Sequence, residues 1–128
     1  MKMLRRLVPA AALLLGIVLV TGCNDSNNNG GGGGVTPNST ISIVPSAFNK
    51  GMLAFNPPSD TVHVGNVVRM HNGDSITHNI QPDAGGFPSW GSLPANTNVD
   101  VTATAAGTFN YHCTIASHTM NGQLVVLP

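Results

Sequence analysis

Apolar and polar positions alternate with a period of two along most of the chain after residue 40. Such alternation places every second side chain on one face of an extended strand. Thr40 to Val44, Thr61 to Val64, Val67 to His71, Thr77 to Gln81, Asn98 to Ala103, Thr108 to Cys113 and Gln123 to Leu127 all read as short strands, rich in β-branched or aromatic residues. Gly65-Asn66 and Asn72-Gly73-Asp74 separate the runs as turn sequences. Residues 45 to 58 carry Pro45, Pro57 and Pro58 and are expected to be loop or one irregular turn. No segment has helical periodicity. Several short strands at near-regular spacing predict one all-β domain, a β-sandwich over residues 40–128.

The first forty residues follow a different pattern. Lys2, Arg5 and Arg6 precede an apolar run from Ala10 to Val20, and then Val20-Thr21-Gly22-Cys23. A basic head, a greasy run too short to span a bilayer and small residues before a cut describe a secretory signal over residues 1–22. The last four residues resemble a bacterial lipobox, which implies cleavage before Cys23 and lipidation of its sulfur. Lipid on Cys23 anchors a protein to a membrane without a transmembrane helix. An ordinary signal peptide with a stray cysteine is the alternative. Residues 23–39, dominated by Asn and Gly, cannot bury enough surface to repay their ordering and are expected to form a flexible linker. Their root-mean-square reach is roughly 20–25 Å.

Removing the signal changes the charge. Lys50 and Arg69 then face Asp25, Asp60, Asp74, Asp83 and Asp100, a net negative balance with no basic stripe. Nucleic-acid binding is disfavoured. The chain has two cysteines. With Cys23 lipidated and Cys113 engaged otherwise, no disulfide remains, although an exported compartment would permit one.

The chemistry is concentrated in Tyr111-His112-Cys113-Thr114-Ile115-Ala116-Ser117-His118-Thr119-Met120-Asn121-Gly122, with His78 upstream. One thiolate and two imidazoles, with a weaker thioether, form the ligand set of a blue copper electron-transfer site. That mixture suits both Cu(I), which favours soft sulfur, and Cu(II), which favours nitrogen. A closed all-thiolate zinc site is excluded by the single cysteine in the folded part. The candidate metal ligands are therefore His78, Cys113, His118 and Met120. Each has a plainer reading: His78 a core or solvated histidine, Cys113 a small buried hydrophobe, Met120 a core side chain. His112 neighbours Cys113 on a strand, so its side chain leaves the opposite face and is read as structural. His63 and His71 lie in strands away from this cluster.

These segments together resemble the cupredoxin family of the plastocyanin, azurin and amicyanin type. The similarity is carried by Phe55-Asn56-Pro57 with Val62-His63-Val64-Gly65, by Asn72-Gly73-Asp74 with Thr77-His78-Asn79-Ile80, and by Gly107-Thr108-Phe109-Asn110-Tyr111-His112-Cys113 with His118, Met120 and Gly122. It covers residues 40–128. The resemblance implies a Greek-key sandwich that carries single electrons on one copper ion, with transient redox proteins as partners and a monomeric state. It also implies that Asn79 and Thr114 tie the two ligand segments together by hydrogen bonds, so Asn79→Ala is expected to lower stability and shift the potential. One departure stands out. Only Thr119 separates His118 from Met120, where family loops have more residues. If residues 118–120 are extended, the two Cα atoms lie roughly 7 Å apart on one face, and both side chains can reach one ion.

Other functions make different demands on the chain. A periplasmic binder that buffers or delivers copper would use a similar mixed site, without requiring the strong thiolate colour that the resemblance implies. A copper nitrite reductase needs a second domain, and a dinuclear copper centre needs a second cysteine near Cys113. The protein is accordingly not expected to be an enzyme. The expected location is the periplasmic or outer face of a bacterial membrane. Pro82, Phe87, Pro88 and Ala116 are candidates for an apolar rim around His118. Phe87 and Trp90 are equally candidates for the core.

Overall fold

The computed structural model describes residues 35–128; the expected signal, Cys23 and the Gly/Asn-rich run up to residue 34 lie outside the described residues. Nine strands form two sheets: β1 (Ser39–Ile43), β2 (Phe55–Asn56), β3 (Ser59–His63), β4 (Val67–Asn72), β5 (His78–Pro82), β6 (Gly91–Leu93), β7 (Asn98–Thr102), β8 (Gly107–Cys113) and β9 (Asn121–Leu127). One sheet has the order β2-β1-β4-β7 and the other β3-β9-β8-β5-β6. The all-β sandwich expected from the alternation is the observed fold.

Alternation builds the core directly. In β4, Val68, Met70 and Asn72 face inward; in β9, Gly122, Leu124 and Val126 do so. Ile41 and Ile43 of β1, Ile80 of β5 and Tyr111 and Cys113 of β8 complete the inner faces. An aromatic group fills the middle. Tyr111 meets Phe55 at 5.0 Å and Trp90 at 5.2 Å between ring centroids, and Trp90 meets Phe87 at 4.8 Å. Phe87 and Trp90 are thus core residues, and the Trp90 indole N–H donates to the Val68 carbonyl at 3.2 Å. Phe87 therefore leaves the candidate rim.

The strand pairing adds what alternation does not show. β3 and β4, joined through Gly65-Asn66, belong to different sheets. β1 runs parallel to β4, and β3 parallel to β9. Asn38 is fixed to Val67 by reciprocal bonds of 2.8 Å, one residue before β1. Residues 45–58 are irregular, as expected, but not featureless. Two 3-10 turns, Ala47–Asn49 and Met52–Ala54, lead into β2, which pairs with β1.

Antiparallel pairing of β5 with β8 places Ile80 opposite Cys113. His78, at the start of β5, and Cys113, at the end of β8, consequently fall at the same end of the sandwich. Both occupy inner-face positions.

Candidate metal centre

Three of the expected ligands converge. The Cys113 Sγ lies 3.4 Å from His118 Nδ1 and 3.9 Å from His78 Nδ1. The donor atoms of His78, Cys113 and His118 all lie within 4.8 Å of one another. Among the described residues this is the one such cluster of three histidine, cysteine or acidic side chains. His78 and Cys113 are buried, and His118 is half-buried. The two imidazole rings are 5.1 Å apart between centroids.

The connecting loop explains how residues 113 and 118 return to one point. The Thr114 N–H donates to the Asn79 carbonyl at 2.8 Å, which joins the end of β8 to the residue after His78. A turn then closes with the His118 N–H on the Ile115 carbonyl at 3.0 Å. Ser117 adopts a left-handed backbone (φ 69°) inside it, which reverses the chain at once. The expected link between Asn79 and Thr114 is present, but it runs to the main-chain carbonyl of Asn79. The Thr114 hydroxyl makes only a long contact of 3.4 Å with the same oxygen. Asn79→Ala would keep that carbonyl, so the effect expected from sequence does not follow from this bond.

Met120 sits at the next rung of the β8·β9 ladder beyond the His112·Asn121 pair. The Cys113 N–H donates to its carbonyl at 3.1 Å. Facing residues in an antiparallel ladder send their side chains to the same face, with Cβ atoms roughly 4.5–5.5 Å apart. Met120 is buried, at 2 % exposure, in the same core cluster as Cys113. The short spacing from His118 is accommodated because Met120 lies past the turn that carries His118, immediately before β9 and bridged to Gly51. Thr119 and Met120 are held there by the segment before β2. The Thr119 N–H donates to the Phe48 carbonyl and the Gly51 N–H to the Thr119 carbonyl, both at 2.7 Å.

The remaining histidines lie apart. His112 points outward and contacts Asp83. His63 bonds the Pro128 carbonyl through Nδ1 at 2.8 Å, and His71 bonds Asn98 through Nδ1 at 2.7 Å.

Two features were not visible in the sequence. Phe48 is exposed and its ring lies 6.2 Å from that of His118, so the irregular segment supplies an apolar neighbour at the surface. Asp74, read only as part of a turn, is buried and accepts a bond from His78 Nε2 at 3.1 Å. Burial raises the Asp74 pKa, but the N–H groups of Ser46, Ala47 and Ser75 and the His78 ring outweigh it and hold the carboxyl well below the usual carboxylate range. Burial lowers the pKa of His78, against the opposing pull of Asp74, and so favours the neutral ring that a metal requires.

No protein-family model and no curated protein matches the chain. Solved structures do. A purple cupredoxin from Nitrosopumilus maritimus superposes with a TM-score of 0.59 at 23 % identity, covering 70 % of this chain and 99 % of that one. Amicyanin from Paracoccus versutus gives 0.56 at 21 % identity, over 73 % of this chain and 85 % of that one. A methionine-to-alanine variant of amicyanin in its Cu(I) state gives 0.51 at 26 % identity, over 69 % and 80 %. The donors gathered here, one thiol and two imidazoles, with the buried Met120 tied to Cys113 through the main chain, are chemically matched to copper in both oxidation states and typical of a type 1 copper site. The fold around them is the cupredoxin fold.

Proposed function

We propose that this protein is a type 1 blue copper electron carrier and not an enzyme. His78, Cys113 and His118 would hold the ion, with Met120 as the weaker fourth donor. The observation that carries this reading is the convergence of two imidazole nitrogens and one Sγ within 4.8 Å, on elements that arrive from different parts of the chain. Bound copper supplies the one-electron couple. The protein's own residues do the rest. β5 and β8 present His78 and Cys113 from a packed sheet, so the donors do not rearrange when the charge at the site changes. Burial excludes water from the thiol. His118 alone reaches the surface, beside Phe48 and the exposed Ala116. A partner docking there would cover a small apolar face, in keeping with transient redox interfaces of less than about 1,200 Å².

The location is also part of the proposal. The lipobox-like Val20-Thr21-Gly22-Cys23 supports export and a lipid anchor on Cys23, with the folded head on the periplasmic or outer face of a membrane. Redox proteins at that surface would be its donors and acceptors.

The test is the optical and paramagnetic resonance spectrum of the folded part loaded with Cu(II). An intense visible thiolate band is expected. Cys113→Ser should abolish it, and Met120→Leu should retain it with an altered potential. A colourless protein that still binds copper would favour a copper buffer or delivery protein instead. Failure to bind copper at all would remove both readings.

A further inference from the structure

Behind His78 lies a side chain outside the donor set that controls its geometry. Four donors converge on the Asp74 carboxylate. Oδ1 accepts the N–H of Ser46 at 2.9 Å and of Ser75 at 2.8 Å. Oδ2 accepts the N–H of Ala47 at 3.0 Å and bonds His78 Nε2 at 3.1 Å. With three main-chain donors already on its two buried oxygens, the carboxylate is an acceptor toward the ring. The ring proton of His78 therefore sits on Nε2. Nδ1 is left with a free lone pair, and Nδ1 is the atom 3.9 Å from the Cys113 sulfur.

The same carboxylate holds a second part of the site. Ser46 has a left-handed backbone (φ 57°) and opens the turn Ala47–Asn49. From there the chain reaches the Phe48 carbonyl, which accepts from Thr119, and Gly51, which bonds Thr119 and Asn121 on either side of Met120. Asp74 thus grips His78 directly and, through the 46–51 segment, the strand start that carries Met120.

We infer that Asp74 is the positioning residue of the metal centre, fixing the tautomer and direction of His78 and clamping residues 46–51 against the ligand loop. The inference rests on the copper reading above. A carboxylate behind a metal-bound imidazole orients the ring and raises its basicity, and loss of such a partner typically costs about 10–100-fold in metal affinity. A purely structural anchor would need only the three main-chain bonds.

Asp74→Asn separates these roles. The amide keeps one oxygen for main-chain donors but places an NH2 where one oxygen was. If that NH2 faces His78, the ring must present a lone pair at Nε2 and a proton at Nδ1, turned toward the donor cluster. The variant is expected to bind Cu(I) about 10–100-fold more weakly, with a changed Cu(II) resonance spectrum. Asp100→Asn, a comparable loss on a remote strand, should change neither. Unchanged affinity and spectrum in Asp74→Asn would overturn the proposal.

A second measurement needs no metal and no variant. Nitrogen-15 shifts of the imidazoles in the metal-free protein at neutral pH should show His78 as the Nε2–H tautomer. A protonated Nδ1, or a mixture of tautomers, would overturn the assignment even if Asp74→Asn fails to fold. If the wild type binds no copper but shows the Nε2–H form, the copper reading falls while the Asp74 contact stands.

Discussion

The Tyr111 hydroxyl is, among the described residues, the buried side-chain polar atom without a hydrogen-bond partner. Burial pushes its pKa far above the ordinary phenol value, as expected for a group denied both water and a counter-charge. A buried hydroxyl left unpaired costs about 1–3 kcal/mol. Tyr111→Phe keeps the ring contacts with Phe55 and Trp90 and removes that cost. Stability is expected to hold or to rise by up to about 1 kcal/mol, measured by thermal unfolding of the metal-free protein. A fall of similar size would show that the hydroxyl has a partner after all. At this scale the sequence was informative about donors and, beyond the link between Asn79 and Thr114, silent about supports. Cys113, His118 and His78 are recognisable because their types and order are chemically specific. Asp74 is not, because an Asn-Gly-Asp turn ordinarily faces water, and only the packing of residues 46–47 onto it buries the carboxylate.

At the scale of elements, the close crossing of β8 and β9 is set by one glycine. A Cβ at Gly122 would lie 2.4 Å from the Tyr111 ring, a distance that no real Cβ contact tolerates. Gly122→Ala must displace the ring or part the strands and should cost about 1–3 kcal/mol. Pairing it with Tyr111→Leu should recover part of that loss, as a double-mutant cycle would show. Additive losses would place the obstruction elsewhere. A different device joins β4 to β7. Arg69 and Asp100 are register partners, and the guanidinium donates two bonds of 2.8 Å to the carboxylate. The hydrogen bond from Arg69 holds Asp100 below its ordinary pKa, against a smaller effect of burial. A carboxyl depressed on folding contributes stability above its unfolded pKa of about 3.9 and loses it as pH falls through the folded value. The stability difference between wild type and Asp100→Asn should therefore be present near neutrality and vanish in acid. A difference independent of pH would remove the ion pair from the account. Strand positions were legible because alternation is local. Pairing was not: nothing in Val62 to Val68 says that the Gly65-Asn66 turn crosses between sheets instead of closing a hairpin. β2 and β6 are too short to alternate visibly, and they exist because β1 and β5 offer them an edge.

For the molecule as a whole, metal and fold are thermodynamically linked. A ligand that binds only the folded state stabilises it by about 4.1 kcal/mol at a thousandfold excess over Kd. Copper loading is expected to raise the melting temperature of the wild type in a concentration-dependent way, with a much smaller rise in Cys113→Ser. Equal rises in both would mean that the thiol is not a ligand. The architecture and the copper-binding end were legible in the sequence, since a polar-apolar period of two and a thiol-imidazole motif survive in a linear string. The apolar surface beside His118 was only partly readable, because Phe48 comes from a segment whose irregularity hides its destination.

The anchoring of Asn38 to Val67 has a consequence for orientation. Val67 opens β4 and Asn72 ends it beside the Asp74 turn, so Asn38 is held about 17 Å along the strand from the copper-binding end. Whatever precedes Asn38 therefore joins the sandwich at the end remote from His118, and the point of entry leaves the His118 edge uncovered.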